Sequence, residues 1–287
     1  MALEPFCPKE FRFQRASILE HRMIAKDTWQ VCFDASDLAR IALPGQFFMV
    51  RLADCNDPLI GRALAMYDRG FDSAGAPTSL SVVYTVKGKF TQALSKLNAG
   101  QAIEVWGPLG NAFSTQSVDH LIMVAGGVGI TPMLSVAADA LGRQAFGKSA
   151  SPNRYAQQVT LCYGARTRDY LAGLPGFESL GVSLAIATED GSLGHRGRVT
   201  DVLDNLLEGT SGTKRIVCCG PEPMMQAVSQ LARRHEVPCE VSLETPMACG
   251  IGICFTCVAK IDQGNGTWDY RRTCIEGPIF QADTIVW

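Results

Sequence analysis

Four cysteines constrain the carboxyl-terminal part of this sequence more than any other feature. Cys249, Cys254 and Cys257 fall within nine residues and Cys274 follows, in the spacing C-x4-C-x2-C-x16-C. Four thiolates are the donor set of an iron–sulfur cluster or of a structural zinc. The first three must share one tightly folded loop, and Gly250 and Gly252 allow the left-handed turns and close backbone approach that such a loop needs. The C-x4-C-x2-C start matches plant-type [2Fe–2S] spacing. Zinc sites more often pair two C-x2–4-C knuckles, and here the second knuckle is missing. Both metals, and unliganded thiols, remain open on spacing alone, with the cluster the closest match.

Eleven cysteines would indicate disulfides in a short secreted chain, but this one has 287 residues, and residues 1–13 mix acids and bases without an apolar stretch. A cytoplasmic protein is expected, in which Cys7, Cys32, Cys55, Cys162 and Cys218 serve as small buried apolar residues. The net charge of −2 gives no sign of a nucleic-acid or membrane-surface partner, and the longest apolar run, 121–129, is too short to cross a bilayer.

The rest of the chain changes character once. Up to residue 113, short alternating runs at 17–19, 29–33, 46–52, 79–86 and 102–106 read as strands. Turns are expected at 44–45, 68–77 and 98–100, and one helix at 91–97. Five or six short strands with a single helix predict a small antiparallel barrel. From 114, β-type runs at 121–125, 159–163, 183–187 and 216–219 alternate with helical stretches at 132–141, 199–207 and 223–234. That alternation predicts a Rossmann-like parallel sheet covered by helices. The fold class is thus multidomain α+β: a barrel over 1–113, the α/β unit over 114–238, and a small metal module over 239–287.

Two glycine turns fall at the carboxyl edge of the expected sheet, where open α/β sheets bind ligands. In the first, a buried strand runs into Gly126-Gly127-Val128-Gly129-Ile130-Thr131-Pro132. Thr131 is a candidate helix cap and Pro132 suits a first helical turn, so the free N–H groups could face a pyrophosphate. The second is Cys219-Gly220-Pro221-Glu222. Either turn alone reads equally well as plain chain reversal, and Cys219 as a plain buried thiol. Together they favour a dinucleotide whose nicotinamide end reaches Cys219.

These residues together resemble the ferredoxin reductase superfamily, and within it the electron-transfer subunits of class 1B dihydroorotate dehydrogenases. The resemblance runs along nearly the whole chain. It rests on Gly107-Pro-Leu-Gly110-Asn111, Ala125-Gly-Gly-Val-Gly-Ile-Thr-Pro132, Tyr163-Gly-Ala-Arg166, Glu189-Asp-Gly-Ser192, Arg198-Val-Thr-Asp201, Cys219-Gly-Pro221, Met247-Ala-Cys249-Gly-Ile-Gly252 and Arg272-Thr-Cys274-Ile-Glu-Gly277-Pro278-Ile-Phe280. It implies a barrel that binds FAD, a Rossmann-like domain that binds NAD, and a terminal module whose four cysteines hold a [2Fe–2S] cluster.

By position, the flavin contacts it implies are Arg62-Ala63-Leu64-Ala65, Val83-Tyr84-Thr85, and Phe90-Thr91. Arg62 would clamp the FAD pyrophosphate, although an Arg beside a strand is as often a plain surface charge. Ala65 stands where the family has a serine near flavin N5, and Phe90 where it has a glycine; Thr91 can still cap its helix beneath a phosphate. Gly126, Gly127, Gly129, Thr131 and Gly220 would hold NAD(H), with Cys219 and Glu222 beside the nicotinamide. Arg166 and Arg168 could read a 2′-phosphate, whereas Glu189 and Asp190 oppose one; the resemblance implies NAD.

The chemistry that follows is hydride transfer from NADH to the flavin and single-electron transfer to the cluster, carried by the cofactors. The implied partner is an FMN-containing dihydroorotate dehydrogenase catalytic subunit in a heterotetramer, which places the chain in pyrimidine biosynthesis. Other acceptors, in glutamate synthase-like, sulfide dehydrogenase or hydrogenase complexes, are the alternative. A stand-alone oxygenase reductase would need a longer gap before its fourth cysteine. A zinc-stapled binding protein is the non-enzyme alternative.

Overall fold

The computed structural model describes residues 11–149 and 151–287; Cys7 and most of the amino-terminal stretch considered above lie outside them. The first unit contains β1 (Arg12–Ala25), β2 (Thr28–Asp34), α1 (Ser36–Ile41), β3 (Phe47–Leu52), β4 (Arg62–Phe71), β5 (Pro77–Thr85), α2 (Lys89–Leu94) and β6 (Ala102–Leu109). Its six strands close as β1-β2-β5-β4-β3-β6. Closure removes the sheet edges and encloses a core that includes Val31, Phe33, Phe48, Val50, Leu80, Val82 and Val105.

The barrel matches the expected architecture with one strand added. β4 covers residues assigned above partly to a 68–77 turn; the actual reversal is 72–76. Asp68 and Arg69 are held inside by groups far away in sequence. The Arg69 guanidinium lies 3.8 Å over the Phe146 ring and donates to the carbonyls of Ala39 and Ala145 at 3.1 and 2.6 Å. Gln144 donates to Asp68 at 3.3 Å. The start of the polar segment that follows α3 is therefore fastened to the barrel through Gln144, Ala145 and Phe146. Of the scattered cysteines within the described residues, Cys162 and Cys218 are buried as expected, whereas Cys32 and Cys55 are only half-buried.

The second unit contains β7 (Val118–Gly126), α3 (Met133–Ala140), β8 (Ala156–Ala165), α4 (Leu174–Leu180), β9 (Ser183–Thr188), β10 (His195–Arg196), α5 (Val199–Gly209), β11 (Lys214–Cys219), α6 (Glu222–Arg234) and β12 (Cys239–Ser242). After β13 (Val258–Asp262) and β14 (Trp268–Arg272), β15 (Ile279–Gln281) returns to the same sheet, whose order is β10-β9-β8-β7-β11-β12-β15. All neighbours are parallel except β12 and β15. β7 is central and covered on both faces, hence its unbroken apolar run. Leu121, Met123 and Ala125 face the core shared with the barrel, and Ile122 and Val124 face the core under α5 and α6. α5 buries Val199, Leu203 and Leu207, and α6 buries Met225, Val228, Ser229 and Ala232, the spacing of one helical face. The cysteine loop (243–257) and the β13–β14 hairpin are inserted between β12 and β15, so both ends of the metal module are strands of the nucleotide sheet.

Candidate functional site

Two cavities open between the barrel and the carboxyl edge of the sheet. The first, about 460 Å³, is lined by Arg62, Ala63, Leu64, Ala65, Val83, Tyr84, Thr85, Phe90, Thr91, Thr131 and Cys219, among others. The second, about 830 Å³, is lined by Gly126, Gly127, Val128, Arg166, Tyr170, Glu189, Arg198, Pro221 and Met224, among others. Both volumes lie in the range of cofactor sites. Thr85, Lys87, Val128 and Glu244 line both cavities, so the two share a wall.

The first cavity suits a flat ring with a charged tail. The small side chains of Ala63 and Ala65 leave width, and no atom lies within 4 Å of where a side chain on Gly88 would begin. Arg62 sits at its rim, anchored through Nη1 to the carbonyls of Ile60 and Gly61, both at 3.0 Å, with its guanidinium 5.9 Å from the Phe90 ring. Phe90 is fully buried and forms part of the wall in place of a glycine. Thr91 is not the cap residue expected above. It occupies the first turn of α2, and its hydroxyl accepts from the N–H groups of Lys87 and Gly88 at 2.9 and 3.1 Å.

Thr131 is not a helix cap either. A 3-10 turn over Gly127–Ile130 precedes α3, and the Thr131 hydroxyl donates to the Val128 carbonyl at 2.6 Å, closing that turn. Gly126 and Gly127 line the second cavity, while Gly129 and Gly220 line neither. Those two let the glycine turns press backbone against backbone: a Cβ on Gly129 would meet the Cys219 carbonyl oxygen at 2.1 Å, and one on Gly220 the Gly126 nitrogen at 2.9 Å.

Cys219 is buried, and burial raises its thiol far above the ordinary value, so it presents a neutral S–H to the first cavity. Glu222 lies outside both cavities, in the exposed first turn of α6. The acid at the junction is Glu244, which the sequence reading missed. Glu244 is exposed by area because its carboxyl opens to the space within the cavities, while the protein packed around that space still limits its hydration. That desolvation raises its pKa, and Lys87 opposes the shift. On the second cavity's far side, the Arg166 guanidinium lies 4.7 Å over Tyr170, and Glu189 shares the lining; Arg168 and Asp190 do not.

The four cysteines of the terminal loop come together as two pairs. Cys254 is within hydrogen-bonding reach of Cys249, and Cys257 of Cys274. Hydrogen bonding, first from Thr256 and then from Cys249, lowers Cys254 to about 6. Cys257 is lowered to about 6 by its bond with Cys274, whose thiol is pushed up in turn. Among the described residues no three His, Cys, Asp or Glu side chains converge as a single metal ion requires. Two pairs suit two irons, each taking two protein thiolates, so the donor set fits a [2Fe–2S] cluster better than one tetrahedral zinc.

The loop holds this shape through its glycines. Gly250 and Gly252 have φ of +74° and +81°, and a Cβ on Gly250 would meet Met49 at 2.6 Å. Trp106 donates to the Cys249 carbonyl at 3.1 Å, and Thr273 donates to the Cys257 carbonyl through its N–H and hydroxyl at 2.7 and 3.1 Å. Cys257 and Cys274 pack in one apolar cluster with Phe47, Met49 and Leu109, against which Ala63, Ala65 and Met247 lie. Phe47, Ala63, Ala65 and Met247 also line the first cavity. The apolar cluster that holds two of the thiols therefore reaches the wall of that cavity.

Comparison with known proteins gives the same three parts. Residues 15–113 match the family described as "Oxidoreductase FAD-binding domain" and 123–230 "Oxidoreductase NAD-binding domain". Residues 244–286 match "Iron-sulfur cluster binding domain of dihydroorotate dehydrogenase B". The chain is 33% identical over 274 residues to the dihydroorotate dehydrogenase B (NAD(+)) electron transfer subunit of Desulforamulus reducens, covering 95% of this chain and 97% of that one. It is 34% identical over 244 residues to the subunit of the same name from Clostridium acetobutylicum, covering 85% and 86%. Among solved structures, a chain of the NADH-dependent reduced ferredoxin-NADP oxidoreductase superposes with a TM-score of 0.76 at 27% identity, covering 95% and 90%. Phthalate dioxygenase reductase shares the fold, with a TM-score of 0.59 at 16% identity over 92% of this chain and 94% of that one. With its cysteine pairs beside the first cavity and its likeness running from barrel to terminal loop, this chain belongs to the family of dihydroorotate dehydrogenase B electron transfer subunits.

Proposed function

We propose that this chain carries electrons from NADH, through FAD in the first cavity and a [2Fe–2S] cluster on Cys249, Cys254, Cys257 and Cys274, to an FMN-containing dihydroorotate dehydrogenase catalytic subunit in a heterotetramer. The observation that carries the reading is the contact of that cavity's lining, through Phe47, Ala63, Ala65 and Met247, with the apolar cluster of Cys257 and Cys274. FAD held in that cavity would supply hydride acceptance from NADH, and a cluster held by the four thiolates would supply one-electron transfer onward. The protein supplies position and field. Arg62 holds the pyrophosphate, the Gly126 and Gly220 turns seat the dinucleotide, and Cys219 crowds the flavin face of the cavity without charge. Ala65 offers no hydroxyl near flavin N5.

The exposed side of the cysteine loop supports a docking face. Ile251, Ile253 and Phe255 are 41%, 73% and 63% exposed, and the last two flank the exposed Cys254. No disulfide joins any of the ten cysteines among the described residues, which suits a reducing cytoplasm. No helix among the described residues is long and apolar enough to cross a membrane.

Glu244 places a negative charge where the nicotinamide becomes cationic as the hydride leaves. Glu244→Gln is expected to slow NADH-dependent flavin reduction by about tenfold or more while leaving iron content unchanged, as stopped-flow bleaching would measure. The sign with pH is fixed by the raised carboxyl. The folded chain holds that proton more tightly than the unfolded chain, so stability falls as pH rises through the interval between the ordinary glutamate value and the raised one. Flavin reduction rises over the same interval, and the glutamine variant shows neither trend.

The whole reading is tested by purifying the chain at native expression level and identifying its metals, its colour and the subunit that accompanies it. The expected result is a coloured chain with iron and FAD, bound to a subunit that oxidises dihydroorotate. A colourless zinc protein sinks the electron-transfer reading. The likeness to the NADH-dependent oxidoreductase chain favours one second reading, transfer to another acceptor, and a co-purifying partner inactive on dihydroorotate would select it.

A further inference from the structure

One imidazole outside the first cavity joins a residue of that cavity's lining to the turn behind the helix that borders it. His21 stands on β1, half-buried. Its Nδ1 is 2.7 Å from the carbonyl of Leu97, in the turn that follows α2, and its Nε2 is 2.8 Å from the hydroxyl of Tyr84 on β5. Its ring packs 4.9 Å from that of Trp29, the residue paired with Tyr84 across β2 and β5. Tyr84 lines the cavity beside Val83 and Thr85, and the first turn of α2 lines it through Phe90 and Thr91.

The chemistry of the partners settles the direction of these bonds. A carbonyl oxygen only accepts, so Nδ1 carries the proton. Nε2 of the neutral ring is then an acceptor, and the Tyr84 hydroxyl is its donor. Burial holds that hydroxyl protonated, well above the ordinary tyrosine value, which keeps the donor in place. With its hydroxyl committed to His21, Tyr84 has no proton to offer the cavity it lines.

We propose that His21 is a positioning residue for the flavin site, fixing with one ring both the segment that follows α2 and Tyr84 in the cavity's lining. This rests on the reading of the first cavity as the FAD site. His21 touches none of the reacting atoms; it acts through Tyr84 and α2. Because both bonds meet at one side chain, their loss is not independent.

The test is a double-mutant cycle on FAD binding to the apo-protein, followed by flavin fluorescence and by the visible circular dichroism of the bound ring. Tyr84→Phe and His21→Ala are each expected to weaken FAD binding by about three- to tenfold and to change the dichroism. The double variant should be no weaker than the weaker single one. Losses that multiply, or an unchanged affinity and dichroism in both single variants, overturn the proposal. So does a loss of apo-protein melting temperature with FAD affinity intact, the mark of a purely structural residue. Tyr84→Phe keeps the ring volume and carries the test if the His21 variant does not fold. The His21 ¹⁵N shifts of the wild-type apo-protein must then report the Nδ1–H tautomer, and the other tautomer overturns the proposal. A wild-type chain that binds no FAD defeats the flavin reading itself, which separates the two failures.

Discussion

Replacing Cys257 by serine is expected to give a chain that still binds FAD and is still bleached by NADH, yet carries no cluster and passes nothing to its partner. Cys257 is the most committed of the four thiols. It is buried, paired with Cys274, and its carbonyl is held twice by Thr273. A serine there keeps the backbone bonds but offers iron a hydroxyl that ionises far less readily than the thiol it replaces. Groups that merely support metal ligands are worth about 10- to 100-fold in affinity or activity, so a direct ligand is expected to exceed that. Iron analysis should fall from two per chain to background, and transfer to the catalytic subunit by at least about a hundredfold. NADH-dependent reduction of a small artificial acceptor should stay near the wild-type rate, because Arg62, Tyr84 and the glycine turns are untouched. A Cys257→Ser chain that retains both irons would show that these four cysteines are not the ligand set.

Much of this was legible because it is local. The cysteine spacing, the two glycine turns and the apolar run of β7 each need only neighbouring residues to be read. β4 was hidden for the opposite reason. Its Asp68-Arg69-Gly70 stretch looks like a turn, and what makes it strand is Arg69 reaching Ala39, Ala145 and Phe146. Thr131 and Thr91 were read as caps because threonine before a helix does cap; here a 3-10 turn and an early helix start shifted both by a few residues.

Glu222 and Glu244 make the sharpest contrast. Glu222 drew attention by following Cys219, but the helix it opens carries it away from both cavities. Glu244 was overlooked as a residue leading to the cysteine loop. A signal existed: β12 runs parallel to β11, with Cys239 opposite Ile216, so the residues after it emerge at the same carboxyl edge as Cys219. Seeing 239–242 as a strand would have placed Glu244 at the site. His21 had no signal, since its two partners lie 76 and 63 residues away.

Gly129→Ala is the substitution expected to do most harm to dinucleotide binding, although Gly129 lines neither cavity. Its Cβ would lie 2.1 Å from the carbonyl oxygen of Cys219, 2.5 Å from that residue's carbonyl carbon and 2.7 Å from the nitrogen of Gly220. All three are backbone atoms, so no flexible side chain can yield. β7 and β11 are locked in register, with Ala125 opposite Cys219, and the strain must therefore displace one of the two turns that border the second cavity. Forcing a methyl group into packed protein costs about 1–3 kcal/mol, and a backbone clash belongs at the upper end. If that strain is relieved on the dinucleotide side, the Michaelis constant for NADH rises by about tenfold to a hundredfold. If it is not, the melting temperature falls instead, and the two readouts together locate the strain. Gly127→Ala is the control. Gly127 lines the second cavity and has φ of +53°, but nothing lies within 4 Å of its added Cβ, so it bears only the left-handed cost of about 1–2 kcal/mol. FAD content should be unchanged in both, since the barrel that carries Arg62 and Tyr84 is not disturbed. A Gly129→Ala chain with wild-type melting and wild-type NADH kinetics would mean that the two glycine turns do not meet, and that the junction holding Cys219 and Glu244 is built differently.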